Sequence, residues 1–490
     1  MNSQTKLFQA GSFNVKLNHL VIIGVLILAF SLSFLIRSQP ADYGYELMEF
    51  DPFFNFRATE YIVENGFSDY FNWHDTKSWY LPEGVDLSAS DTEISNPGIS
   101  GRNVSATSQV MLHTTAAITY QIFGGNSSLY DFTILFPAVI GSLTVIIIFG
   151  LVRLFAGTTA GLFASLLFAV SLPILLRGSI GWFKSEPLGI FYALLGLYFF
   201  FSGIRSKNKK IAFFKIITGG VIMTFAMASW GGIQFFIIPL GLFILVLPFV
   251  RKDHKFLIWS IPLFVGSFLL SAIMFERPGL DFVFGLGGIS LIIPTIFLIL
   301  CIFIQKITKD QHKIRNGLIL LFSILIIGFF LVIINEESIS LQCSADGYNW
   351  INDQCVVPTN IDNSETSTEQ EIDNAKHECE SIDHVYKKIL QNKIITYNGQ
   401  WNVDQELCTL DYKQLLPVPS FRYLNALNPF LTTLNPLVDS VAEHSTTNIH
   451  LSFFFHSILL IFSSLGAWFL LSKKISSSII FERNDMRVFV

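Results

Sequence analysis

The sequence predicts an all-α polytopic membrane protein, a multi-span helical bundle carrying two long outer loops. Three observations predict it. Hydrophobic residues make up 51% of the chain and charged residues only 14%, where an ordinary soluble domain is about 25% charged. Apolar runs long enough to cross a bilayer recur along the chain and are nearly free of charge. The dense basic clusters fall in alternate connections, so all of them share one side of the membrane. The net charge of -5 says little, because the charges are segregated by side. No basic face interleaves with exposed aromatics, which excludes a nucleic-acid partner.

Residues 1–36 hold an inner N-terminus and a first span over about Leu20–Ile36. Lys6 and Lys16 precede it, no small-residue cleavage site follows, and the run is long enough to remain as an anchor. Residues 37–130 form the first outer loop, rich in Trp, Tyr and Asp. Within it Asp51 is expected to cap a helix that starts at Pro52 and runs to about Val63. Gln109–Phe123 is moderately apolar but contains His113, Thr114, Thr115 and Gln121, so it is placed as a packed or interfacial helix. That choice fixes the threading, because a span there would move every later basic cluster to the outside.

Residues 131–334 hold eight further spans, at about 131–152, 161–176, 188–204, 211–229, 233–249, 256–274, 282–303 and 317–334. Their inner turns carry Arg153, Arg205 to Lys210, Arg251 to Lys255, and Lys306 to Arg315. Residues 335–449 form a long acidic outer loop with a polar insertion from Ser338 to about Gln414, read as a small subdomain stapled by disulfides. Four of the five cysteines lie there, namely Cys343, Cys355, Cys379 and Cys408, and three pairings are open. Cys301 sits in an apolar run as a buried thiol. Residues 450–490 hold a tenth span, a charged turn and the start of another apolar run, which reads as a fragment whose C-terminal globular domain is missing.

Three outer motifs carry the chemistry. The first is Glu49-Phe50-Asp51-Pro52, continuing through Asn55 and Arg57, with Asn72-Trp73-His74-Asp75 and Ser78-Trp79-Tyr80 downstream. The second runs from Arg177 through Gly181, Trp182 and Lys184 to Glu186. The third is Ser440-Val441-Ala442-Glu443-His444. Asp51, Glu186 and Glu443 are thus carboxylates at the outer ends of different spans. Such a set is costly at a membrane unless it binds a cation or a polar ligand. Oxygen donors of this kind suit hard divalent ions, Mn²⁺ or Mg²⁺. Ser440 and Glu443 also fit a capping box, and Glu186 also fits a solvated loop residue beside Lys184.

Taken in this order, the motifs resemble those of oligosaccharyltransferase catalytic subunits, above all the archaeal single-subunit form, AglB. The resemblance implies a multi-span bundle of the GT-C type and a dolichyl-phosphooligosaccharide–protein glycosyltransferase. Such an enzyme moves a glycan from a dolichol phosphate or diphosphate carrier onto Asn of Asn-x-Ser/Thr sequons. Asp51 and Glu443 match the residues that engage the acceptor amide. Asp51, Glu186 and Glu443 are the implied metal ligands, and Arg177 matches a supporting arginine beside them. Lys184 stands where the family carries Asp, and it is a candidate for the carrier phosphate together with His444. The family's Trp-Trp-Asp-x-Gly motif is absent from this sequence. The implied partners are the dolichol-linked oligosaccharide, the acceptor protein and membrane lipid. The implied location is the cell membrane, multi-pass, with the active site on the outer face. Alternatives are a catalytically impaired homologue, which Lys184 suggests, another lipid-phosphosugar glycosyltransferase, and a polytopic transporter. The last would place ionisable groups at mid-membrane, where this chain has almost none.

Overall fold

A computed structural model describes residues 6–10, 13–77, 102–250, 254–308 and 315–324. It also describes 349–351, 354–357, 376–377, 379–380, 383–388, 393–402 and 407–415. The chain divides into two compact units, one of residues 1–73, 103–313 and 447–490, the other of 74–102 and 314–446.

After a short antiparallel strand pair, Lys6–Ala10 with Phe13–Lys16, the first unit is mainly helical. Its long elements are α1 (Leu17–Ser38), α2 (Phe50–Asn65), α3 (Val110–Phe123), α4 (Leu129–Ala169) and α5 (Ser185–Arg205). They continue as α6 (Lys209–Ser229), α7 (Gln234–Val250), α8 (His254–Ile273) and α9 (Leu286–Ile307). Seven helices among the described residues are long and apolar enough to cross a membrane. Each expected span up to residue 303 overlaps one of them, though that at 161–176 runs past the helix end at Ala169 into a separate short helix, Leu172–Leu176. Of the expected span at 317–334, the described part is a short apolar helix, Arg315–Ile324. The span at 451–471 lies outside the described residues.

α1 shows why exposure here does not mean water. Leu20, Val21, Ile23, Ile27, Leu28 and Leu35 are exposed on one side, while Ala29, Ser33 and Arg37 are buried at helical spacing on the other. The apolar side is the lipid-facing one, and the small residues face protein.

α4 is two antiparallel arms. Gly157 breaks the helix with φ +85° and ψ 179°, a conformation that favours glycine. The chain folds back there, because a Cβ on Gly161 would lie 2.8 Å from the carbonyl of Phe149. Ala169 clusters with Val145, and a straight helix would separate them by about 36 Å. The pair of spans expected at 131–152 and 161–176 overlaps this hairpin, whose second arm ends at Ala169.

The main core joins α5 to α9. Phe200, Phe201, Phe264 and Phe268 are fully buried in it, with the Phe200 and Phe264 rings 4.2 Å apart. α5 and α6 approach closely where Gly196 and Gly219 meet, each within about 3 Å of a Cβ placed on the other. Backbones that close exclude lipid and gain dispersion contact, the usual basis of helix association in a bilayer.

The second unit adds a sheet to a mostly helical chain. Strands 349–351, 354–357, 407–415, 393–402 and 383–388 form one antiparallel sheet, in that spatial order. Ile394, Ile395, Thr396 and Tyr397 supply the β-branched and aromatic content that strands favour. Overall polarity had hidden that local pattern. Cys379 and Cys408 form a disulfide, and Cys355 is also disulfide-bonded. Cys343 lies outside the described residues, and Cys301 is a free, buried thiol.

Candidate active site

The site begins at the first turn of α2. Asp51 is not the N-cap. The helix opens at Phe50, and Glu49 occupies the cap position with φ 67° and ψ -179°. Proline lacks only an N–H that is unpaired anyway, so Pro52 fits anywhere in that first turn. Asp51 sits beside the positive end of the helix dipole with its side chain 73% exposed. A residue other than glycine held at this φ costs about 1–3 kcal/mol. Here it accompanies a contact, since Glu49 meets Lys184.

A buried polar chain holds α2 in place. Pro52, Asn55, Ala58, Thr59 and Ile62 are its inward face, and α3 packs there through Val110, His113 and Ala117. Asn55 Nδ2 donates to the carbonyl of Phe183 at 2.9 Å, which turns its Oδ1 toward His113 Nε2 at 3.0 Å. His113 therefore donates from Nε2, and Nδ1 accepts from the Tyr70 hydroxyl at 2.7 Å. The polar residues that argued against a span at 110–123 thus belong to a packed helix. Asn55→Ala would leave buried partners at both ends, a loss of about 1–3 kcal/mol for each unmet group. The expected result is a clear drop in the unfolding midpoint, whereas Asn65→Ala, at an exposed bond to Tyr61, should leave the midpoint unchanged.

The loop from Arg177 to Lys184 completes the site. Gly181 has φ +79°, donates to the carbonyl of Ile134 at 2.9 Å and accepts from Met48 N–H at 3.0 Å. Ile180 N–H donates to the carbonyl of Arg37 at 2.9 Å. These bonds fix Trp182, whose ring lies 5.1 Å from the Arg177 guanidinium and 4.5 Å from the Lys184 ammonium. Three carboxylates are divided between these cations. Arg177 Nη1 is 3.4 Å from Glu186 Oε1, while Lys184 Nζ is 2.6 Å from Glu49 Oε2 and 3.2 Å from Asp51 Oδ2.

Lys184 therefore pairs with the start of α2 and not with its loop neighbour Glu186. Its backbone is extended at the N-cap of α5, and the ammonium reaches the start of α2 instead. Burial would lower its pKa, but the hydrogen bonds and charges of Glu49 and Asp51 outweigh that and raise it. A raised lysine pKa adds stability that is fully present below the ordinary lysine value and lost as pH climbs past the folded one. The ion pair accordingly persists through neutral pH.

Arg177 and Lys184 thus both face Trp182, and each holds a carboxylate, Glu186 for the first and Asp51 for the second. Glu443 and His444 lie outside the described residues. Among the described residues no three His, Cys, Asp or Glu side chains form a metal-holding group. Glu49, Asn55 and Trp182 stand inside the quoted motifs but were given no role there, and His113 lies outside them. Asn55 and His113 had one usable signal, being polar residues on otherwise apolar helical faces.

Residues 39–336, more than half of the chain, match the family described as oligosaccharyl transferase STT3, N-terminal. The chain is 28% identical over 232 residues to the dolichyl-diphosphooligosaccharide–protein glycosyltransferase subunit STT3B of Oryza sativa subsp. japonica, covering 46% of this chain and 29% of that protein. It is 28% identical over 269 residues to subunit STT3 of Dictyostelium discoideum, covering 54% and 34%. The chain thus spans about a third of the length of these curated relatives, which are eukaryotic. Among solved structures it is similar to AglB from Archaeoglobus fulgidus in complex with an inhibitory peptide and a dolichol-phosphate. That similarity has 17% identity and a TM-score of 0.47 over 64% of this chain and 38% of that one. The Archaeoglobus fulgidus oligosaccharyltransferase in complex with Zn and sulfate gives 18%, 0.46, 64% and 40%.

Proposed function

The chain belongs to the oligosaccharyl transferase STT3 family, and on that premise we propose that it transfers an oligosaccharide from a dolichol-linked phosphate or diphosphate to Asn of Asn-x-Ser/Thr sequons. In this reading it is a multi-pass glycosyltransferase of the GT-C type and the archaeal single-subunit form, in the cell membrane with its site on the outer face. The observation that carries the reading is the exposed Asp51 carboxylate, on a helix fixed by a buried scaffold and met by the Lys184 ammonium of the 177–186 loop.

The chemical obstacle is the acceptor. An amide nitrogen is a poor nucleophile because its lone pair is delocalised into the carbonyl. Carboxylates that accept hydrogen bonds from both amide protons weaken that delocalisation and aim the nitrogen at the anomeric carbon. Asp51 and Glu443 take this role. The new C–N bond forms as the glycosidic C–O bond breaks, the phosphate leaves with the electron pair, and one amide proton passes to a carboxylate. Arg177 and Lys184 bring positive charge close to where the leaving phosphate gathers negative charge, and His444 is a further candidate for contact with that phosphate.

A divalent ion, Mn²⁺ or Mg²⁺, fits the donors in kind, since Asp51, Glu186 and Glu443 are hard oxygen ligands. When bound it supplies Lewis-acid stabilisation of the leaving phosphate. Lys184 stands against it, because its ammonium already holds Asp51 at 3.2 Å. Lys184 and the ion therefore compete for one carboxylate. Lys184→Ala should tighten Mn²⁺ binding and Lys184→Asp should tighten it further, read by calorimetry on the full-length protein. Superimposable titrations of all three would remove the competition.

The function itself is tested with full-length protein, a polyprenyl-linked oligosaccharide and two peptides. The Asn-x-Thr peptide should be glycosylated and its Gln-x-Thr counterpart left unmodified. Product from Lys184→Asp but none from the wild type would favour the impaired homologue. Silence from both with a competent donor would defeat the proposal.

A further inference from the structure

About 30 Å from Lys184, at the far end of α5, a groove opens between that helix and the first arm of α4. Its volume is about 660 Å³, and Ile146, Ile147, Gly150, Leu195 and Tyr198 are among its lining residues. Two arginines also line it, Arg153 and Arg205, each toward the C-terminal end of its own helical arm. The two arms run in the same direction, so both cations stand at one end of the groove and the apolar residues continue from them toward the middle of the bundle.

Neither arginine forms an ion pair with a carboxylate among the described residues. Arg205 Nη1 donates to the carbonyl of Leu154, and the Arg153 guanidinium lies 5.7 Å from the Phe149 ring. Those contacts orient the groups without neutralising them. Lys207, Lys209 and Lys210, all exposed, follow Arg205 at the same end. A cation at the margin of a span is costly unless it reaches water or a counter-charge. A pair of cations heading an apolar furrow matches one shape of ligand, a phosphate carrying an aliphatic chain.

We propose that this groove binds an anionic glycerophospholipid of the surrounding leaflet, with its phosphate between Arg153 and Arg205 and one acyl chain along Ile146, Ile147 and Leu195. The charge of the site selects the headgroup, and the furrow selects a bilayer lipid over a free anion. Basic pockets between membrane helices hold anionic headgroups on the same principle. The site is remote from the reacting carboxylates and independent of the transfer reaction.

The test is native mass spectrometry of the full-length protein, released from detergent containing phosphatidylglycerol or phosphatidylcholine. The wild type should retain phosphatidylglycerol and not phosphatidylcholine. At about 1 kcal/mol for each basic residue near a charged headgroup, the Arg153→Gln/Arg205→Gln double variant should bind it roughly thirtyfold more weakly. Leu195→Trp keeps both charges and fills the furrow, so it should also lose the lipid, and it covers the case in which the double variant does not fold. Equal retention of the two lipids, or undiminished binding in both variants, would overturn the proposal. So would inorganic phosphate alone displacing the bound lipid, which would make this a free-anion site. Preferential capture of a polyprenyl phosphate would overturn it too, by assigning the groove to the glycan carrier.

Discussion

Asp51→Asn in the full-length protein is expected to lower glycan transfer to a sequon peptide by about 10²–10³-fold, the usual effect of removing one electrostatic group from a reacting centre. The substitution keeps the shape of the side chain and removes its charge. It should leave folding almost untouched, because the carboxylate is 73% exposed and the packing of this turn comes from Pro52 and Asn55. Exposed substitutions of this kind usually stay within about 0.5 kcal/mol. Lys184 would also keep its shorter contact, with Glu49 at 2.6 Å. The informative measurement is therefore turnover at saturating peptide beside the unfolding midpoint of the same sample. Turnover near the wild-type value would rule out Asp51 as an acceptor ligand. A fall in turnover matched by a fall in midpoint would make it a structural residue.

Gly181→Ala is expected to disrupt the site through the backbone. Gly181 has φ +79°, and a Cβ there would lie 2.3 Å from the carbonyl oxygen of Glu46. That overlap is with main chain, which has no rotamer to give way. The left-handed conformation costs an alanine about 1–2 kcal/mol and overpacking adds about 1–3 more, so the loss should be about 2–5 kcal/mol. Gly125→Ala is the control. It has φ +55° with nothing within 4 Å of the added carbon, so only the conformational part remains. Unfolding of the two variants side by side separates the contributions. Equal losses would show that close approach to Glu46 has no consequence.

The helices were legible because a bilayer makes one demand, a long uncharged run, and composition alone meets or fails it. The reversal between the arms of α4 was legible too, since Arg153 interrupts an apolar stretch too long for one crossing. The sheet of the second unit was not, because strand pairing joins residues such as Cys355 and Leu410 that no local pattern relates. The site divides in the same way. Asp51 and Glu186 could be named from residue type and position, and Arg177 and Lys184 from the family resemblance. Their pairing could not, since Lys184 meets Glu49 across 135 positions and passes over Glu186 two residues away. Asn55 and His113 were visible as polar residues on buried faces, but only their mutual geometry makes them a scaffold.

The fold-back at Gly157 has a consequence for how such a chain can change over generations. The hairpin starts at Leu129 and returns the chain to its starting level, where Gly181 bonds the carbonyl of Ile134. Two crossings leave parity unchanged, so α5 sets out from the level where α2 begins, and Lys184 can reach Asp51. Loss or gain of a single arm would send α5 off from the opposite level and separate those residues by the thickness of the bundle. Viable insertions and deletions between Asp51 and Lys184 are thus restricted to loop residues or to spans gained and lost in pairs.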